Sequence, residues 1–499
     1  MWRRLYLLLV PLRLYFALSP SYIHPDEHFQ GPEIIAGEIF GWPSHRTWEF
    51  TSTEPIRSIF PLWLIYGLPL TLVKWIWEGL GYTHSSELPT TAFYALRILM
   101  FLLSFILEDW AVDELVPNKD ERRVAIFFVT SSYVTWTLQT RTLSNSIETL
   151  IVLWCLVLMR RIRENKDRTQ PSACFALAFL GALGIFNRIT FPAFLVIPAA
   201  QLLPHLLQRP RRLVVIGSTV LVTALYAVAL DTDFYSTEIF HLRQLPQNFV
   251  FTPWNNVRYN LDPSNLAKHG LHPFWQHFLA NLPQLLGPGL LLAIFSSRRN
   301  SLFWSAIVGV AILSCFQHQE PRFLLPAVPL LLSTIRLPKK FNRTWLAAWA
   351  IFNVLAGILF GVYHQGGVIP AQTWIASQED VSSVLWWKTY SPPRWLLDGK
   401  NDNITTIDLM GMQGVRLEAE LARAATTSFG ADRTLLVAPY SAVYLDKLSH
   451  SNAGLHLTEL WQYRNHVGLD DLDFGDDGIW PTLQRVVGRR GLIIWEVHQ

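Results

Sequence analysis

Residues 213–230 read LVVIGSTVLVTALYAVAL, eighteen residues without a charge, preceded by Arg209, Arg211 and Arg212 and followed by Asp231. A helix needs roughly 20 mainly apolar residues to cross the hydrocarbon core of a bilayer, so this stretch predicts a membrane span and sets the reading of the rest. Similar runs recur at about 5–20, 91–109, 124–140, 143–159, 173–187, 191–207, 281–296, 301–316, 322–336 and 344–363. Several are short and broken by Pro or Gly, which is tolerable where neighbouring helices or water re-satisfy the freed backbone groups.

The composition agrees. The chain has 499 residues, 51% of them hydrophobic and 16% charged, with 21 Trp and 30 Phe and a mean hydropathy of +0.23. An ordinary soluble domain carries roughly 25% charged residues, so a single soluble enzyme is excluded. A net charge of +3 with scattered positives offers no basic face for nucleic acid. Cys155, Cys174 and Cys315 all lie in apolar runs and read as small buried hydrophobes, not as a disulfide framework or a zinc site.

Charge divides the chain near residue 365. Residues 365–499 hold 16 acids and 11 bases, a net of −5, against 30 bases and 22 acids upstream, a net of +8. Two domains are expected: a membrane module, 1–364, and a soluble α/β tail, 365–499. In the tail, TLLVAPY (434–440) and GLIIWEV (491–497) have strand character, and 415–427 has helical spacing. Short cytoplasmic loops collect Lys and Arg. Arg3 and Arg4, Lys119 with Arg122 and Arg123, the runs Arg160 to Arg168 and Arg209 to Arg212, Arg298 and Arg299, and Arg336 to Arg343 all fall on one side of the proposed spans. The opposite, luminal side then receives loops 21–58 and 231–280 and the tail. The stretch 59–80, interrupted by Pro61, Pro69, Lys74 and Glu78, keeps this parity only as an interfacial or re-entrant segment. The N-terminal run reads as an uncleaved anchor, because no A-x-A site follows it and Arg13 lies late within it. The acidic stretch 470–477, DDLDFGDD, reads as a solvated loop. Asn403, in N-I-T within the tail, is the sequon expected to carry glycan, while Asn342, in N-R-T among basic residues, is expected to face the cytosol.

Polar clusters at the luminal ends carry the chemistry. IHPDEHFQGPE (23–33) joins Asp26 and Glu27, fixed after Pro25, with His24 and His28. A carboxylate there can act as general base on a hydroxyl. On the same side lie Arg57 in EPIRS, Arg141 in QTRTLSNS, Arg188 in FNRIT and Arg322 in HQEPRF. An arginine at a span end is often only a snorkelling anchor. Four on the side that the positive-inside rule depletes point to an anionic head group, which arginine binds by paired charge-assisted hydrogen bonds. His269 and His272 (NLAKHGLHP, 265–273) and His318 with Glu320 complete the set. A phosphate leaving group is stable as an anion, so one base suffices for transfer, whereas glycoside hydrolysis normally uses two carboxylates; cations then meet the developing charge. A transporter would instead place charges mid-span, and a non-catalytic subunit would not need the acidic pair.

HPDEHFQGPE, TWEF followed by EPIRSIFP, RTLSNSIET, NRITFP, the HG-x-HP loop and HQEPRFLLP, in that order, resemble the multispanning mannosyltransferases of the endoplasmic reticulum (ER) that use dolichyl-phosphate mannose. HPDEHF and HQEPRF look most like the branch of that family that adds the fourth mannose to the glycosylphosphatidylinositol (GPI) precursor. The resemblance implies an α-helical polytopic membrane protein of GT-C type, about 11 to 12 spans, with a C-terminal luminal α/β domain, embedded in ER lipid. It implies Asp26 as base with Glu27 beside it, substrate contacts from His24, His28, Arg57, Arg141, Arg188, His269, His272, His318, Glu320 and Arg322, and no cofactor or obligatory metal. It also implies an inverting transfer to the 2-hydroxyl of the third mannose, giving an α1,2 linkage. A sister enzyme with another ER glycolipid acceptor is the alternative. Gln319 stands where the family's HKE form has lysine, so the phosphate role falls more heavily on Arg322.

Overall fold

The computed structural model describes residues 2–82, 87–164, 171–236, 249–338, 340, 342–397, 399–400, 403–427, 433–448, 455–472, 474 and 478–498. Parts of the expected luminal loop (237–248), the basic run beyond 164, Lys339, and Asp473, Asp476 and Asp477 of the acidic stretch lie outside the described residues. Two compact units interleave along the chain. The first comprises Met1–Ala17, Arg46–Leu68 and Arg97–Leu355; the second comprises Leu18–His45, Pro69–Leu96 and Ala356–Gln499.

Among the described residues, four helices are long and apolar enough to cross a membrane: Phe60–Gly79, Leu88–Leu115, Pro210–Tyr235 and Asn342–Tyr363. Two bent pairs raise this to six: Tyr133–Thr140 with Ser144–Glu164 at 113°, and His277–Leu286 with Pro288–Phe295 at 114°. Pro171–Asn187, Phe191–Leu207 and Ser301–Leu313 are shorter apolar helices. The stretch expected to be interfacial is one continuous helix, Phe60–Gly79. A π turn at Trp63–Gly67 lies just ahead of Pro69, where a regular α turn would lose a hydrogen bond. The run 322–336 is not a single helix. Pro321 opens a 3-10 turn, Pro321–Leu324, and Pro326 precedes a short helix, Ala327–Leu332.

In the first unit, Pro210–Tyr235 shows why the opening stretch has its pattern. Its buried residues include Thr219, Thr223, Ala227 and Asp231, one every four positions, while Val214, Leu221, Val222, Leu225 and Tyr226 are exposed. Small and polar groups face the protein and apolar ones face out, as in a helix solvated by lipid. Ser144–Glu164 is the reverse, buried on nearly every side over its first four turns. The sharp bend at Gly287 needs φ +48°, and a Cβ there would fall 2.5 Å from the Phe352 ring; Pro288 then restarts the helix.

The second unit holds a five-stranded sheet of β1 (Val381–Trp386), β2 (Thr405–Asp408), β3 (Arg433–Pro439), β4 (His456–Tyr463) and β5 (Leu492–His498), in the order β2-β1-β3-β5-β4. β1 pairs in parallel with β2 and β3, while β5 pairs antiparallel with β3 and β4. The expected strands at 434–440 and 491–497 are β3 and β5, and the expected helix is Gly414–Thr427. Both faces are covered: Val384, Trp386, Leu435 and Val437 enter one core, and Leu385, Leu436 and Ala438 enter the other. This explains why these strands read as unbroken apolar runs. The early segment 18–45 is bound into this unit. Tyr22 donates its N–H to His364 O at 3.1 Å, and the Ser21 hydroxyl donates to Gly361 O at 2.8 Å.

Candidate active site

In the second unit, Pro25 leads a four-residue helix, Asp26–Phe29, and after Gly31 the chain re-enters a helix at Pro32–Phe40. This turn separates the two acids. Asp26 keeps 19% of its side chain exposed, and its carboxylate accepts from the Gln30 amide. His24 accepts the Asp26 N–H at Nδ1, 3.1 Å away. Glu27 is fully buried, and its Oε2 accepts the N–H of Ile23 at 3.2 Å. His28 is also buried, packed against the rings of Tyr22 (4.8 Å) and Phe93 (5.9 Å). Asp26 and His24 therefore keep part of their surface exposed, and Glu27 and His28 are enclosed. Glu33, in the same motif, accepts the N–H of His45 at 2.9 Å and of Trp395 at 3.4 Å. Burial pushes its carboxyl up to about 8, although those amides partly oppose the rise.

In the first unit, cations and acids are matched. Arg188, following the helix Pro171–Asn187, directs Nε to Glu148 Oε2 at 3.1 Å and Nη1 to the Ser144 hydroxyl at 3.1 Å. Thr190 donates to the other Glu148 oxygen at 2.7 Å. Arg322 pairs with Glu320, which also meets His318 Nε2 at 2.9 Å. The Arg188 and Arg322 guanidiniums lie 5.0 and 5.3 Å from the centre of the same ring, Phe323. His318 packs edge-on against that ring at 5.5 Å and lies 5.6 Å from His269 and 6.2 Å from His272. Partial burial and the neighbouring His318 hold His269 below the usual imidazole range.

The other two arginines have other partners as well. Arg57 donates from Nε and Nη2 to Glu49 Oε1, at 3.0 and 2.8 Å. Arg141 is fully buried and donates to Ala17 O at 3.2 Å. Gln319 turns inward: its Oε1 accepts the His277 N–H, and its Nε2 donates to the carbonyls of Ser314 and Phe316. The position where the family's other form has lysine is thus a backbone brace. Among the described residues no group of three or more His, Cys, Asp or Glu is arranged to hold a metal ion.

Glu148, Glu49 and Glu33 were not singled out from the sequence. Each lies within a quoted motif; Glu148 and Glu33 meet partners remote in the chain, Arg188 and Trp395, whereas Glu49 meets Arg57 eight residues on. Chemically, Arg188 and Arg322 are two cations set against one aromatic ring, each balanced by its own carboxylate before any ligand arrives. An anion placed there would share them with Glu148 and Glu320.

The sequence profile of the Alg9-like mannosyltransferase family matches residues 4–397. The chain belongs to that family. Among its relatives, GPI mannosyltransferase 4 of Aspergillus oryzae is 49% identical, covering 100% of this chain and 99% of its own length. GPI mannosyltransferase 4 of Saccharomyces cerevisiae is 34% identical, covering 94% and 95%. Among solved structures, ArnT from Cupriavidus metallidurans bound to undecaprenyl phosphate is 11% identical with a TM-score of 0.49, covering 99% of this chain and 98% of its own.

Proposed function

We propose that this enzyme transfers mannose from dolichyl-phosphate mannose to the third mannose of the GPI precursor, at the luminal face of the ER membrane. The reading is carried by the near-full-length likeness to relatives named GPI mannosyltransferase 4, and residues of each unit fit a chemistry for it. The acceptor's 2-hydroxyl oxygen attacks the anomeric carbon of the β-linked donor in line. The new C–O bond forms as the bond to phosphate breaks, which gives an α1,2 linkage. Asp26 takes the hydroxyl proton; it is the acid of the pair with exposed surface. Arg188 and Arg322 bind the phosphate and meet the charge that grows on it as dolichyl phosphate leaves. Glu27 and His28 set the loop that presents Asp26 and His24.

The test is product analysis in membranes lacking the endogenous enzyme and supplied with dolichyl-phosphate mannose and, in separate assays, a three-mannose or a two-mannose acceptor. A four-mannose glycolipid, cleaved by an α1,2-specific mannosidase, is the expected product. Accumulation of a three-mannose product from a two-mannose acceptor would assign the chain to the preceding step instead.

A further inference from the structure

The first unit contains an aromatic group that the reading above does not use. The Trp48 ring stacks on Tyr259 at 4.7 Å with an interplanar angle of 29°, and on His269 at 5.4 Å and 28°. Tyr259 and His269 are themselves only 5.9 Å apart, far closer than two rings on opposite faces of one indole can be. Both therefore lie under the same face of Trp48. A hydrogen bond of 2.8 Å between the Tyr259 hydroxyl and His269 Nε2 fixes the two supporting rings. Trp48, held in this way, is still 41% exposed.

The surroundings of the shelf are polar and ionic. The residue after Trp48 is Glu49, bound to Arg57, and Arg258, next to Tyr259, pairs with Glu54 at 2.6 Å. Glu320 and Glu49 both act electrostatically on His269, and His269 lies beside His318, the partner of Glu320. The shelf is thus continuous with the double-arginine site. An isoprenoid chain laid on it would strip water from these charges without replacing their hydrogen bonds, which is costly. A hexose has the complementary form: a C–H face for the indole and a rim of hydroxyls for carboxylate, guanidinium and imidazole.

We infer that Trp48, supported by Tyr259 and His269, is a sugar-stacking shelf on which a mannose ring of one of the two substrates rests. The inference rests on the mannosyl transfer proposed above, and either the donor's mannose or a mannose of the acceptor could supply the ring.

The experiment uses the full chain reconstituted in lipid nanodiscs. It measures KM for donor and for acceptor, and the inhibition constant of dolichyl phosphate, which lacks the sugar. Trp48→Ala should raise one KM by about tenfold, in line with the upper value of an aromatic contact, and leave the dolichyl phosphate constant unchanged. Trp48→Phe should recover most of the loss. A rise confined to the donor KM places the donor's mannose on the shelf; one confined to the acceptor KM places the acceptor's there. If neither KM moves, or the dolichyl phosphate constant shifts in parallel, the shelf is a structural or membrane-interface feature and the inference is wrong. Absence of any four-mannose product from the wild-type chain would overturn the functional reading itself, and the shelf with it.

Discussion

Arg188 and Glu148 form a buried ion pair, Nε to Oε2 at 3.1 Å, with the carboxylate fully enclosed. Removing one partner of such a pair typically costs about 3 to 5 kcal/mol, because a charge is left uncompensated. Arg188→Ala and Glu148→Gln should each lower the denaturation midpoint of the detergent-solubilised protein. The double variant should be less destabilised than the two effects added together. Additive losses would mean that the two charges do not depend on each other.

Arg322 lies at the same ring from the other sequence motif, with Glu320 as its counter-ion. Arg322→Ala should cost on the order of 2 to 4 kcal/mol of transition-state stabilisation, as removal of one oxyanion donor does. Arg322→Lys should restore only part, since an ammonium lacks the planar fork. Wild-type transfer rates in a stably inserted Arg322→Ala protein would reduce Arg322 to an anchor.

Asp26→Asn keeps the size of the side chain and an oxygen to accept from Gln30, but it cannot take a proton. Mannose transfer should fall by about 100 to 10,000-fold, with the protein still accumulating in membranes. Glu27→Gln changes a fully buried group that holds the Ile23 N–H, so it should act through loop shape and reduce stability as well as activity. Normal transfer by Asp26→Asn with a dead Glu27→Gln would exchange the two roles.

Glu33 gives a pH dependence whose sign follows from its environment. Burial raises the carboxyl from the ordinary 4.5 to about 8 in the folded chain. Between those values the folded state keeps a proton that the unfolded state releases, so this contribution to stability is full below about 4.5 and is lost as pH rises through about 8. Thermal melting of the wild type should therefore weaken from pH 5 to pH 8.5 more than that of Glu33→Gln. Equal slopes would show that Glu33 is ionised in the fold.

The two sequons give a test of orientation. Asn403 and Asn342 are both exposed, so accessibility does not choose between them; the side of the membrane does. Glycosidase treatment should shift the mobility of the wild type and of Asn342→Gln, and should leave Asn403→Gln unshifted. The reverse pattern would invert the last spans.

Most of the apolar helices, two of the three inner strands of the α/β tail, and the HPDEHF turn were legible because each rests on a local pattern: an apolar run, β-branched residues between breakers, a proline fixing a loop. Partnership was not legible. Asp26 and Glu27 are adjacent in sequence, and only the four-residue helix reveals which one is enclosed. The Glu148 carboxylate is 40 residues from Arg188 and carries no periodic signal toward it. Trp48 and Tyr259 lie 211 positions apart, and nothing in either segment announces their stack. The same holds for the gathering of 18–45 and 69–96 with residues beyond 356, since long-range pairing leaves no trace in spacing.

The bond from the Trp395 amide to Glu33 spans 362 residues. At about 5 to 20 residues per second, a ribosome needs about 20 to 70 s to make the stretch between them. Throughout that interval the acid-bearing turn has been synthesised but its enclosure has not. The inner strand β5 comes later still. Maturation of the turn is therefore a late event in the life of the nascent chain, and a truncation before residue 395 would leave the Glu33 carboxyl without the Trp395 amide that helps to hold it.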